Sequence, residues 1–138
     1  MKNLSLVEVE YLAFSLAKKY FEFDEKIPDF STRFPNILES CLAVPFQKFN
    51  KKDLYHGLVE KSAILFYLMI KNHPFQNGNK RIATTTLLVL LSKNKKWLGV
   101  DYQEFYNFAV WVAQSPANLK DSVVQGIEKF LKTYLINI

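Results

Sequence analysis

The chain has 138 residues, the length of one ordinary domain, and its 49% hydrophobic and 15% aromatic content is enough to bury a core. With 22% charged residues, this composition excludes a disordered chain, and the single cysteine, Cys41, excludes an internal disulfide. Glu8 and Glu10 fall where a secretory signal needs apolar residues, and the apolar runs are too short to span a bilayer. We therefore expect a single domain over residues 1–138, located in the cytoplasm and without a membrane partner.

The net charge of +5 would suit either a nucleic-acid surface or an anionic nucleotide. Most lysines are scattered along the chain, and the densest group, residues 93–96, stands at a predicted helix end, where cations are favoured by the helix dipole. The charge pattern therefore argues against nucleic acid as a partner, and a mild positive field agrees better with a nucleotide.

The first part of the chain predicts two helices and an extended segment. Ser5 and Glu8 have the spacing of a capping box, and the periodicity that follows predicts a helix to about Phe21. Residues 24–35 are predicted to form a loop, and Pro35 can take the first position of the next helix. The apolar face of that helix would comprise Ile37, Leu38, Cys41 and Leu42. Ala43–Phe49 carries Pro45, which favours an edge strand or an extended flap.

The rest of the chain predicts further helices. Asp53 can cap a helix that continues through Lys71, and Ile82–Leu91 is apolar on nearly every side, which is typical of a buried central helix. Asp101 has capping spacing for a helix through Ala113, and Ser115 with Pro116 at the first position predicts the last one. The buried face of the last helix would comprise Leu119, Val123, Ile127, Phe130 and Leu131. The predicted fold class is all-α, with about six helices.

The loop between the two central helices contains more polar and charged side chains than a simple turn requires. It reads His73-Pro74-Phe75-Gln76-Asn77-Gly78-Asn79-Lys80-Arg81. If it opens the central helix, the unpaired N–H groups and the dipole of that helix favour an anion. Gly78 lets the backbone approach a ligand, Asn79 offers an amide donor, and Lys80 and Arg81 add positive charge, so the loop predicts a phosphate site.

The two aromatic residues of the loop predict complementary roles. His73 would lie at the rim, where a neutral imidazole can take a proton, and Phe75 would anchor the loop to the core. Taken singly, each loop residue has an ordinary structural explanation as a cap, a core residue or a solvated charge. Their occurrence together favours a functional site. We interpret the other histidine, His56, as structural, and no Cys/His set has the spacing of zinc ligands.

This loop resembles the signature of the Fic/Doc family, H-P-F-x-x-G-N-x-R, and is closest to the death-on-curing (Doc) branch, where lysine precedes the arginine. The resemblance implies a Fic-fold helical bundle with a small β-hairpin flap beside the active-site loop. It also implies transfer of a phosphate-containing group from a nucleotide to a protein hydroxyl, with His73 as the catalytic base. The residues that would hold the nucleotide phosphates are Gly78, Asn79, Lys80 and Arg81. The flap that would receive the target backbone as an added strand comprises Val44, Pro45 and Phe46.

Three positions depart from the family pattern, and two of them, Lys80 and Thr84, differ from its AMP-transferring members. Lys80 replaces a glycine and would crowd the phosphates in their pose, and Thr84 replaces a second arginine that would compensate phosphate charge. Resemblance to the Doc branch instead implies transfer of the γ-phosphate of ATP. Asn77 replaces the usual acidic residue that binds Mg²⁺ and offers only a weaker carbonyl ligand, so Mg²⁺ would arrive bound to ATP.

No Ser or Thr has Glu four residues later, so the inhibitory pattern of many Fic proteins does not occur in this sequence. The resemblance to Doc implies a toxin with two partners. They are a separate antitoxin protein and a protein substrate, by analogy a translation elongation factor. Two alternatives stay open: an AMP-transferring Fic enzyme, and a catalytically weakened module that binds a nucleotide without chemistry, which Asn77 would favour.

Overall fold

The structure is a computed structural model that describes residues 1–20 and 26–138. The helices, in chain order, are α1 (Leu6–Glu8), α2 (Phe14–Tyr20), α3 (Pro35–Ala43), α4 (Gly57–Lys71), α5 (Asn79–Lys93), α6 (Tyr102–Gln114) and α7 (Lys120–Tyr134). The strands are β1 (Lys48–Phe49), β2 (Lys52–Asp53), β3 (Lys96–Leu98) and β4 (Leu135–Asn137). The predicted all-α fold class with a small hairpin is confirmed.

The N-terminal helix is one helical stretch whose middle, Val9–Ala13, is a π-helical segment between α1 and α2. The predicted capping box is present, because Ser5 Oγ accepts from Glu8 N and Ser5 N donates to Glu8 Oε1. Lys93 Nζ lies 2.6 Å from the Glu8 carboxylate, and this hydrogen bond holds the pKa of Glu8 below its usual value. The predicted end of the helix near Phe21, and the start of the predicted loop at residues 24–25, lie outside the described residues.

The two central helices, α4 and α5, pack against each other and form the middle of the core. Residues 61–70 of α4 and 81–91 of α5 are buried throughout, and for α5 the apolar pattern of Ile82–Leu91 predicted this burial. The threonines of α5 are accommodated there because their hydroxyls donate to backbone carbonyls of the preceding turn. These residues are Thr84, Thr85 and Thr86.

Helix α3 begins at Pro35, as predicted, and a 3₁₀ turn at Phe30–Thr32 precedes it. Leu38, Cys41 and Leu42 face the core, whereas Ile37 remains 36% exposed. Burial raises the pKa of the Cys41 thiol to about 11.

Two predictions for the segment after α3 are wrong. Val44–Phe46 is a 3₁₀ turn, closed by a 3.1 Å hydrogen bond from Gln47 N to Val44 O, so these residues do not form an extended flap. The extended backbone begins after this turn, where β1 pairs with β2 in a hairpin. Asp53 does not cap α4, because it lies in β2 and pairs with Lys61 at 3.3 Å. The N-cap is His56, whose backbone N–H donates to Glu60 Oε2 at 2.7 Å.

The C-terminal part confirms one predicted cap and corrects another. Asp101 caps α6, accepting from Glu104 N. Ser115 instead closes the C-terminal end of α6, since its hydroxyl donates to Val112 O, and Pro116 precedes a 3₁₀ turn before α7 starts at Lys120. On the last helix the predicted buried face is formed by Val123, Ile127 and Leu131, with Phe130 partly buried and Leu119 47% exposed.

The end of the chain closes the fold through β4, which pairs with β3 in the antiparallel register Lys96↔Asn137, Trp97↔Ile136 and Leu98↔Leu135. Within the parts of the chain that the structure describes, no helix has both the length and the apolar content needed to cross a membrane.

Candidate active site

The loop of residues 73–81 connects the end of α4 to the start of α5. Helix α4 closes at Asn72, whose N–H bonds to Leu68 O at 2.9 Å. The next residue, His73, has a φ of +48°, the left-handed conformation in which helices commonly end and which usually selects glycine. Its side chain is exposed. The predicted base is therefore held at the surface by a backbone conformation that a histidine adopts only at a cost in energy.

The side chain of Asn79 stabilises the loop through hydrogen bonds to its backbone. Its side-chain Oδ1 accepts from Phe75 N at 2.9 Å, and its Nδ2 donates to Phe75 O at 2.8 Å. The same Nδ2 lies 3.5 Å from His73 Nδ1. The amide that we predicted to face a phosphate thus ties the two ends of the loop together, and what Asn79 can still offer an anion is its backbone N–H at the start of α5.

Phe75 is the apolar anchor that the sequence predicted. It is 1% exposed, and its ring packs beside the rings of Phe14 and Phe30 at centroid distances of 5.6 and 6.0 Å. A second tie comes from Pro74, whose carbonyl accepts from Phe34 N at 2.9 Å and so joins the loop to the start of α3. The loop is therefore held in one shape by the core on one side and by α3 on the other.

Gly78 forms the N-cap of α5 with a φ of +75°, which favours glycine. A Cβ at this position would also stand 2.7 Å from Ile27 Cδ1, closer than packed atoms allow. The backbone here thus turns sharply against a buried side chain, and α5 opens with N–H groups that have no partner within the helix. This is the helix start to which an anion is attracted.

The two cations of the motif occupy different environments. Lys80, in the first turn of α5, is only partly buried. Arg81 is 1% exposed, and its Nη2 would lie 3.6 Å from a Cβ built on Gly78, so its charge is placed directly beneath the loop. The site therefore has one accessible cation and one enclosed cation, both at the positive end of the helix dipole.

Asn77 is exposed on the same loop. Within the described part of the chain, no group of three or more His, Cys, Asp or Glu residues could hold a metal ion. The exposed Asn77 can present its amide oxygen to a hard cation, and its role as a weak metal ligand stays a prediction.

Two features, one at each end of α4, were not predicted from sequence. Lys61 is 4% exposed on α4, and its Nζ contacts Pro45 O at 3.3 Å, Tyr55 O at 2.5 Å and Asp53. A lysine next to an apolar run gives no sequence signal that it is buried, because its partners come from a separate segment. The second feature is an open cleft of about 400 Å³ at the end of α4, lined by Asn36, Ile37, Ser40 and Asn72.

The fold and this loop define an all-α protein with an exposed histidine beside a glycine-opened, cation-bearing helix start. A family model described as the Fic/DOC family matches residues 3–91, which is more than half of the chain, and the chain belongs to that family. The family is generally one of protein-modifying transferases, which supports a Fic-type transferase acting on proteins. Neither the curated proteins nor the solved structures gave a significant match.

Proposed function

We propose that this chain transfers the γ-phosphate of ATP to a hydroxyl of a target protein, in the manner of a Doc-type toxin. The observation that carries this proposal is the environment of Thr84, the position where AMP-transferring members place a second arginine. Thr84 is fully buried, and its hydroxyl donates to Arg81 O at 2.7 Å. The chain therefore offers no cation at that position, whereas Lys80 keeps a charge near the surface at the start of α5.

In the proposed reaction, the neutral imidazole of His73 takes the proton of a serine, threonine or tyrosine hydroxyl on the target. The hydroxyl oxygen attacks the γ-phosphorus, a new O–P bond forms, and the bond from the γ-phosphorus to the bridging oxygen of ADP breaks. The electron pair leaves with ADP, and the proton stays on His73 until it is lost to solvent. A positioned base of this kind is typically worth roughly 10² to 10⁴ in rate.

The residues that would hold ATP are the backbone of Gly78 and Asn79, the Lys80 ammonium and the Arg81 guanidinium. Their shared role is to neutralise the phosphate charge that develops during transfer, which is the main contribution of the protein in phosphoryl-transfer enzymes. Mg²⁺ would come bound to ATP and supply further charge compensation, and the exposed Asn77 could offer it an amide oxygen.

The biological part of the proposal is a toxin restrained by a separate antitoxin and directed at a protein of the translation machinery. Two facts support it: the family is one in which protein substrates and antitoxin partners occur, and no Ser or Thr of this sequence has Glu four residues later. An antitoxin that folds onto the toxin would cover the site in the way that an internal inhibitory helix does in other members.

The test uses purified protein, a bacterial lysate, and ATP labelled at either the α- or the γ-phosphate. Wild type is compared with His73→Ala and with His56→Ala, a matched control that removes an exposed histidine at the other end of α4. We expect γ-label on protein from wild type and His56→Ala, and a loss of at least about 100-fold in His73→Ala. Expression of the same three chains in a bacterium should arrest growth for the first two only.

The outcomes separate the alternatives. Transfer of α-label, dependent on His73, would replace the proposal with attachment of AMP. Binding of ATP without any His73-dependent label would favour the module that binds nucleotide without chemistry, and Asn77→Asp would then be the first variant to test for restored transfer.

A further inference from the structure

The sheet formed by β3 and β4 has an edge that faces away from β3. Gly99 N donates to Tyr134 O at 2.8 Å and Ile138 N donates to Lys95 O at 3.1 Å, which extends the antiparallel register by one pair at each end. Hydrogen-bonded and non-hydrogen-bonded pairs alternate in such a sheet. The first and the last residue of β4 therefore direct their backbone N–H and C=O groups away from β3.

These outward groups can pair with a further strand. In the part of the chain that the structure describes, the sheet has two strands, so no third strand covers β4. The Leu135 N–H already bonds to Leu131 O at the end of α7, which leaves the Leu135 carbonyl and both backbone groups of Asn137. Edge strands usually carry a proline, a bulge or a charged side chain that prevents pairing. Strand β4, Leu135–Asn137, has none of these.

One face of the sheet is apolar and exposed. Leu98 is buried against the core, so its neighbour Trp97 and the residue paired with it, Ile136, lie on the opposite face. Trp97 is 36% exposed, Ile136 is 47% exposed, and Ile138, two residues further on, is 65% exposed. Large apolar side chains grouped beside an open strand edge indicate an interaction surface.

The two ends of this sheet carry opposite charges. At one end Lys95 and Lys2 are both exposed, and the backbone N–H of Lys2 donates to Asn94 Oδ1 at 2.8 Å. At the other end the Glu104 carboxylate accepts from the Tyr134 hydroxyl at 2.7 Å. Residues 95 and 99 mark these ends, and they are about 13 Å apart along the strand at 3.3 Å per residue.

This charge distribution decides which partner fits the edge. An acidic segment would be attracted at the lysine end and repelled at the glutamate end, and a basic segment would meet the reverse. A second copy related by a two-fold axis presents the same strand in the opposite direction. The lysine end of each copy then lies beside the glutamate end of the other, so the charges favour a second copy of this chain.

We propose that β4 pairs with β4 of a second copy across a two-fold axis, which joins the two sheets into one four-stranded antiparallel sheet. The Asn137 N–H of each copy would donate to the Leu135 carbonyl of the other. The two Ile136 side chains would meet at the axis on the apolar face, flanked by Trp97. Because the edge is short, we expect a weak dimer that dissociates on dilution.

This interface does not rest on the proposed function. It lies at the end of α5 opposite the His73 loop, about 22 Å away at 1.5 Å per residue. Dimerisation and group transfer can therefore succeed or fail independently of each other.

The test places charges of either sign at the axis of the full chain, as Ile136→Lys and Ile136→Glu, and measures sedimentation velocity over a range of concentrations. We expect wild type to dimerise and each variant alone to dimerise about tenfold more weakly or worse, because like charges meet at the axis. An equimolar mixture of the two variants, with one of them fluorescently labelled, should recover a 1:1 heterodimer. Mixing could not rescue a chain that had failed to fold.

The matched control is the pair Phe49→Lys and Phe49→Glu, at an exposed aromatic residue of the other hairpin. These chains should dimerise as wild type does, alone or mixed. A wild type that stays monomeric at every concentration, or Ile136 variants that associate no better mixed than alone, would overturn the inference. A monomeric wild type that sediments with anionic phospholipid vesicles, more strongly as Ile136→Lys than as Ile136→Glu, would replace it with a membrane surface.

A cysteine at the axis tests the register. Residues that face each other in a non-hydrogen-bonded antiparallel pair have Cα atoms about 4.5 Å apart, which a disulfide can span. Ile136→Cys should therefore form a covalent dimer under mild oxidation, whereas Phe49→Cys should not. Cys41 is fully buried and does not compete. If Ile136→Cys cross-linked no faster than Phe49→Cys, the two strands would not pair in this way and the proposal would fail.

Discussion

At the scale of single residues, His73 has a left-handed backbone conformation that lowers stability, yet it carries the imidazole that the proposed function requires. Residues other than glycine pay about 1–2 kcal/mol in this conformation. Gly78, five positions on, has the same sign of φ without that cost, so the loop has a glycine at one left-handed position and its predicted base at the other. The imidazole that we propose as the catalytic group is therefore kept at a position where glycine would be more stable.

We predict that His73→Gly is more stable than His73→Ala by about 1 kcal/mol, although both variants lose transfer. The measurement is urea unfolding of the two variants side by side. Lys129, inside α7, provides the opposite control, since Gly there should be less stable than Ala by about 1 kcal/mol. Equal stability of the two His73 variants would mean that residue 73 does not hold the left-handed conformation in solution.

At the scale of elements, α3 carries a titratable group that has no part in the proposed chemistry. Cys41 is fully buried among apolar residues, which raises its pKa to about 11, whereas an exposed thiol titrates at about 8.5. In this pH interval the folded chain keeps the proton and the unfolded chain loses it. The free energy of unfolding therefore falls as the pH rises through this window, at up to about 1.4 kcal/mol per pH unit.

We predict that the stability of wild type relative to Cys41→Ala shrinks between pH 9 and pH 11, by roughly 2–3 kcal/mol in total. Comparing the two chains removes the titration of the lysines and tyrosines that they share, and the cavity left by the alanine adds a term that does not depend on pH. Urea unfolding at several pH values gives the difference. Curves that run parallel across this window would show that the thiol ionises equally in both states.

Elements with strong local signals were the ones that sequence predicted well. The capping box at Ser5, Pro35 at a helix start, Asp101 as a cap and the two buried central helices depend on neighbours within one or two turns. Asp53 was wrong as a cap because it lies in β2, before the N-cap His56, and its carboxylate pairs with Lys61 of α4. Val44–Phe46 was wrong as an extended flap because proline also suits a 3₁₀ turn.

The same distinction applies to the candidate site. The motif identified the loop, its glycine and its aromatic anchor, since each follows from residue type and position. The Asn79 amide hydrogen-bonds to the Phe75 backbone, and Arg81 is buried. Both features depend on how the loop packs on itself and on the core, which the spacing of residues in the sequence does not predict. The roles of these residues toward a nucleotide remain predictions for the labelling experiment.

At the scale of the whole molecule, the family match ends at residue 91, yet the segment beyond it packs on the helices that carry the loop. Phe66 of α4 stacks with Phe105 and Phe108 of α6, and Phe108 stacks on Phe130 of α7 at 4.1 Å. Two positions before His73, Lys71 reaches across to the same region. Its ammonium donates to Ala113 O at 3.2 Å and Ser115 O at 2.5 Å, which satisfies carbonyls at the end of α6.

We predict that Lys71→Met, which keeps the apolar stem and removes the donors, destabilises the whole fold by about 1–3 kcal/mol, because partly buried carbonyls lose their hydrogen bonds. For a domain of this size that loss lowers the melting temperature by roughly 3–10 °C, which calorimetry or circular dichroism measures directly. Lys129→Met, on the exposed side of α7, removes the same charge and should change the melting temperature little. If the two variants melted alike, the C-terminal helices would not be coupled to the end of α4 through this lysine, and the aromatic stack alone would hold them there.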